Sequence, residues 1–113
     1  LANVKLPDPL ARRHLLEGKL DAAKARDLGE AYLAADRELE AIDFLARADA
    51  TDLLESIQSG ALSSGDVFLF RAAAGALGTD PGPEGWTRLA EAASAAGRER
   101  DAETAKRLAT VGN

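Results

Sequence analysis

Alanine returns at three- and four-residue steps along most of this chain, and that periodicity constrains the fold more than any other feature. Residues spaced this way share one face of an α-helix. Ala22, Ala25, Leu28, Gly29, Tyr32 and Ala35 make one such face, and Ala41, Ile42, Phe44, Leu45 and Ala48 make the next. Two more follow near the C-terminus: Trp86, Leu89, Ala90, Ala93 and Ala96, then Ala102, Ala105, Leu108 and Ala109. Of 113 residues, 25 are Ala and 17 are Leu, so two strong helix formers fill more than a third of the chain. With 3 Phe, 1 Trp, 1 Tyr and few β-branched residues, a sandwich or barrel is excluded.

Punctuation divides the chain into about seven helical pieces. Asp8-Pro9 opens the first as N-cap and first helical residue, and Gly18 closes it. The second spans about 22–35 and the third about 38–48. A short fourth follows Thr51, uses Leu53, Leu54 and Ile57, and stops at Gly60. Ser63 to Asp66 has capping-box spacing and predicts the start of a fifth helix near Ser63, which ends at Gly78. A loop over 78–82 precedes a sixth helix opened by Pro83, and a seventh covers about 99–111. The expected fold class is all-α, a stack of antiparallel helical hairpins forming one domain over residues 1–113. Its parts are an N-terminal extension (1–7), a capping helix (8–20) and three hairpins (22–49, 51–77 and 83–111).

Composition argues against most chemistry. Cysteine is absent and His14 is alone, so thiolate sites and two-histidine metal sites cannot be assembled. Arg12, Arg13, Leu15 and Leu16 flank His14 and offer no nucleophile for it to activate. The carboxylates mostly sit three or four residues from Lys or Arg, as Asp43 does from Arg47, which marks a solvated helix face. No catalytic set, cofactor or metal site is expected. A net charge of −5 speaks against a nucleic-acid partner, and the longest apolar runs are too short for a membrane span. Without a basic-then-apolar start, the expected setting is cytoplasmic.

Shifting the chain by 61 residues lays 25–49 over 86–110 with nine identical pairs, among them Leu28/Leu89, Glu30/Glu91, Arg37/Arg98 and Glu38/Glu99. The first copy reads A-x-x-L-G-x-x-Y-x8-A-x3-L-x2-A from Ala25 to Ala48. This pattern resembles the tetratricopeptide repeat. Leu28, Gly29, Tyr32, Ala41 and Ala48 match it in the first copy; Trp86, Leu89, Ala102 and Ala109 match it in the second. Lys106 departs from the pattern, standing where the repeat has Phe. The resemblance implies a non-enzymatic protein–protein interaction module. It places Ala23, Arg26, Glu30 and Leu33, then Glu84, Thr87, Glu91 and Ser94, on the ligand-facing helices.

From these, Arg26, Glu30, Leu33, Thr87 and Glu91 are the candidate partner-binding residues. Glu30 and Glu91 favour a basic or amphipathic protein segment. Trp86 and Tyr32 are expected as packing residues, the Tyr32 hydroxyl needing a partner or solvent. The Val67-Phe68-Leu69-Phe70 run covers every side of a helical turn. It predicts either a helix buried on all sides or a sticky face, with Phe68 and Phe70 as contacts for a partner or a second copy. The alternative reading is a structural or regulatory piece of a larger assembly, or a homo-oligomerising domain.

Overall fold

The computed structural model describes residues 5–111, so part of the expected N-terminal extension lies outside the described residues. Those residues form seven α-helices and no strand: α1 (Pro9–Glu17), α2 (Ala22–Ala34), α3 (Glu38–Arg47), α4 (Thr51–Ser64), α5 (Val67–Leu77), α6 (Gly82–Ala95) and α7 (Glu99–Val111). The chain is all-α and built of antiparallel helical hairpins. It divides into two compact units, Leu1–Leu54 and Glu55–Asn113, the division falling inside α4. None of the described helices is long and apolar enough to cross a membrane.

In the first unit α2 packs on α3. The Asp21 carboxylate starts α2 by accepting the Lys24 N–H at 2.9 Å. The helix ends in a Schellman turn: the Arg37 N–H donates to the Tyr32 carbonyl at 2.9 Å and the Asp36 N–H to Leu33 at 3.0 Å. Asp36 supplies the left-handed residue at φ 59°, a conformation that Asp tolerates better than most. The short turn forces the hairpin, and its helices approach closely. A Cβ on Gly29 would collide with the Leu45 side chain. Ala25, Tyr32, Ala41, Phe44 and Leu45 are fully buried between the two helices.

α1 docks on this hairpin without burying any residue of its own. In this expected capping helix Leu10 is 61% exposed, and Leu15 and Leu16 are only half-buried. Arg12 holds the helix instead. Its guanidinium lies 5.5 Å from the Tyr32 ring centre and 5.3 Å from that of Phe44. It also donates to the Glu40 carbonyl at 2.8 Å and the Asp43 carboxylate at 3.1 Å. Arg47 donates to the Leu16 carbonyl at 3.0 Å.

The second unit repeats the hairpin in α6 and α7, with α5 also touching α7. Its turn has the same bonding as the first: Arg98 N–H to Ala93 carbonyl at 2.8 Å, Gly97 N–H to Ser94 at 3.1 Å, and Gly97 left-handed at φ 77°. The position equivalent to Asp36 is thus a glycine doing the same work. Phe70 meets Trp86 edge-on with ring centres 5.4 Å apart, and both are buried.

Two sequence expectations need correction here. α4 does not stop at Gly60 but runs through it to Ser64. Nothing lies within 4 Å of where a Gly60 Cβ would stand, so the glycine costs only helix propensity. The buried residues Ile57 and Ala61 on either side outweigh that cost. Nor does Ser63 start α5. Ser63 and Ser64 close α4, Gly65 turns the chain at φ 74°, and Asp66 is the N-cap, accepting the Leu69 N–H at 3.1 Å. Gly65 decides this, because its Cα side lies directly on the Ala93 backbone.

Candidate functional site: the cleft between the last two helices

The two hairpins differ at one structurally decisive pair. In the first, Gly29 on α2 faces Leu45 on α3, and Leu45 is fully buried over it. In the second, the equivalent positions carry Ala90 and Lys106. An ammonium cannot be buried unpaired between two helices, and the Lys106 side chain stays 63% exposed beside Glu103 at 3.8 Å. No large apolar side chain covers Ala90 as Leu45 covers Gly29. A cleft of about 460 Å³ lies there, lined by Thr87, Ala90, Glu91 and Ser94 from α6 and by Lys106, Ala109 and Thr110 from α7.

The floor of this cleft is apolar and its rim polar. Ala90 is buried, and Ala109 is half-buried. Thr87 and Thr110 donate their hydroxyls to carbonyls of their own helices, Pro83 at 2.8 Å and Arg107 at 2.9 Å. Glu91, Ser94 and Lys106, all exposed, are the polar residues of the cleft lining besides the two threonines. A second depression of about 450 Å³ continues toward the start of α6, shares Thr87 and Glu91, and adds Pro83, Glu84 and Arg88.

Four of the residues that the sequence assigned to ligand-facing helices, Glu84, Thr87, Glu91 and Ser94, therefore line adjoining surfaces of one unit. The charge expectation changes. Glu84 and Glu91 are matched by Arg88 and Lys106, so this surface carries mixed charge and is not acidic. Nothing in the residue periodicity announced Arg88 or Lys106 as part of it. Lys106 was visible only as a departure from the repeat pattern.

In the first unit the expected residues are bound to one another. Arg26 forks onto Asp52, with Nη2–Oδ2 at 2.9 Å and Nη1–Oδ1 at 3.3 Å, while its Nε donates to Glu30 at 3.1 Å. Hydrogen bonding to Asp52, then to Glu30, raises the Arg26 pKa above its ordinary value; the same fork lowers that of Asp52. Glu30 is engaged and does not present a free negative charge. Ala23 is exposed and Leu33 half-buried beside this network.

The apolar run on α5 splits by face. Val67, Leu69 and Phe70 are buried, whereas Phe68 is 69% exposed. Phe70, expected as a contact for a partner, is committed to Trp86 in its own core. Tyr32 is buried as expected, yet its hydroxyl has no hydrogen-bond partner, and neither has the buried Arg12 Nε. Compared with known protein families, curated proteins and solved structures, the chain has no match.

Proposed function

We propose that the chain is a non-enzymatic, tetratricopeptide-like interaction module that holds a segment of another protein in the cleft between α6 and α7. The observation that carries this reading is the exchange at the repeated position. The copy with Leu45 has a filled hairpin; the copy with Lys106 has a cleft floored by Ala90 and Ala109. An apolar floor with a few charged rim groups suits a short peptide. Side-chain burial supplies affinity, and Glu91 and Lys106 supply orientation. Mixed charge at the rim favours an amphipathic segment bearing both signs over a purely basic one. The repeated sequence and the repeated turn bonding support the family resemblance. The reading includes a cytoplasmic setting, supported by the acidic, cysteine-free composition.

Selection of a displayed random-peptide library on the wild-type chain and on the double variant Ala90→Gly/Lys106→Leu tests this. The pair restores the glycine and leucine that close the first hairpin, so the variant's cleft should fill. Peptides enriched on the wild type and lost on the variant, with the variant still folded by circular dichroism, are the expected result. Peptides retained by the double variant, or none enriched on either protein, would refute the cleft as the binding site.

A further inference from the structure

The rings of Tyr32 and Phe44 stack with centres 5.5 Å apart, and both residues are fully buried in the α2–α3 hairpin. From α1 the Arg12 guanidinium reaches both rings. Its Nη2 donates to the Glu40 carbonyl and to the Asp43 carboxylate. Two aromatic rings, a main-chain carbonyl and a carboxylate suit a guanidinium, which is planar, weakly hydrated and donates in its own plane while it lies over π faces. An ammonium is a compact, strongly hydrated point charge and suits them less. All four recognising groups belong to α2 and α3. That hairpin closes on itself, with Leu45 over Gly29 and its own hydrogen-bonded turn, so it forms the site without help from α1.

The occupant fits less well than the site is built. α1 buries none of its own residues and leaves Leu10 exposed, whereas a helix that belonged to the core would turn that leucine inward. Two polar atoms are buried without a partner in this arrangement, the Arg12 Nε and the Tyr32 hydroxyl. Each is a hydrogen bond forgone at a buried group. A guanidinium that is not tied to the α1 backbone is free to turn in the site and regain them. Apart from Arg12, α1 is fastened by the exposed bond from Arg47 to the Leu16 carbonyl. We propose that the Tyr32–Phe44 side of the hairpin is an arginine-binding site, that Arg12 occupies it from within the chain, and that an arginine presented by another protein takes it by displacing α1. Lifting α1 leaves Asp43 without its 3.1 Å ion pair, and that negative charge draws a cationic side chain in. The site lies wholly in the first unit, and the inference does not depend on the α6–α7 cleft. An internal occupant weakens the apparent affinity for an external one by the fraction of time the site stands vacant. Removing the Arg12 guanidinium removes that competition.

Tyr32 is the chain's only tyrosine, so isotope labelling of tyrosine gives a single ring signal at the site. The probe is N-acetyl-arginine amide, with N-acetyl-lysine amide as a control of equal charge. In full-length Arg12→Ala the arginine probe should shift the Tyr32 signal saturably, and the lysine probe should not. The wild type should need about tenfold more probe or beyond, because Arg12 must first leave. Adding Asp43→Asn to Arg12→Ala should weaken the response. Circular dichroism establishes that each variant is folded, and Arg12→Lys repeats the comparison with the alkyl stem and the charge kept. No saturable shift in folded variants would overturn the site. An equal response to the lysine probe would overturn guanidinium recognition. An equal response of wild type and Arg12→Ala would overturn Arg12 as the internal occupant, and a response that Asp43→Asn leaves unchanged would place the probe elsewhere. Unfolding of both Arg12 variants would make α1 a fixed part of the core and overturn its displacement.

Discussion

Trp86 and Phe70 meet edge-on in the second unit, and Trp86 is only 7% exposed. Truncating a buried side chain of this size removes its transfer free energy and leaves a cavity, so Trp86→Ala should cost about 3–5 kcal/mol. A thermal melt reads this; an unchanged midpoint would contradict the packing role. Glycines give a paired prediction at the same scale. Gly60 lies inside α4 with open space around its missing Cβ, so Gly60→Ala should stabilise by about 0.5–1 kcal/mol. Gly65 sits at φ 74° against the Ala93 backbone, so Gly65→Ala should destabilise by more than ~1 kcal/mol, since a left-handed residue gains a Cβ that has nowhere to go. Chemical denaturation of the two variants should move the midpoints in opposite directions. Equal shifts would show that the two sites do not differ as described.

α1 is the element most exposed to loss, because it has no buried residue and leans on polar contacts made by Arg12 and Arg47. Local opening of such a segment costs far less than unfolding the chain. Arg12→Ala removes the guanidinium from the Tyr32 and Phe44 rings and from Glu40 and Asp43. Amides of residues 10–17 should then exchange hydrogen nearly as fast as an open chain, while those in α2 and α3 keep most of their protection. Equal protection of α1 in variant and wild type would show that Arg12 does not hold it. The remaining helices were readable in advance because each carries an apolar face long enough to repeat several times. In α4 the sequence around Gly60 predicts a stop, since glycine is a poor helix former. The structure shows that burial of Ile57 and Ala61 overrides it.

Among the described residues, the groups whose pKa departs from its ordinary value belong to two surface ion networks, Arg26 with Asp52 and Glu30, and Arg37 with Glu40. The Arg37 guanidinium lowers the Glu40 pKa, chiefly through the 2.6 Å hydrogen bonds between them, as the Arg26 fork lowers that of Asp52. A carboxylate with a lowered folded pKa contributes stability above its unfolded value of about 4, and that contribution is lost as pH falls through the folded pKa. The melting temperature should therefore decline as pH drops through and below the ordinary carboxylate range. Asp52→Asn and Glu40→Gln together should flatten the decline. Because these side chains stay 40% or more exposed, the effect is small and shrinks in high salt. A double variant with the wild-type acid profile would show that other carboxylates set it.

Local information alone determined the seven helices, most of their ends and the internal repeat. Helix propensity, three- and four-residue spacing and capping residues act within a few positions of one another, and a sequence displays them directly. The buried roles of Tyr32, Trp86 and Gly29 were legible for the same reason, since each sits on a repeating apolar face. Contacts between residues far apart in the chain were decided only in three dimensions. Arg12 reaches 31 positions to Asp43, Gly65 rests on Ala93, and Phe70 turns inward while Phe68 turns out. The cleft is the clearest case. Its cause, a lysine where the other hairpin has a buried leucine, is written in the sequence. Its effect depends on which residue stands across the helix pair, and only packing sets that.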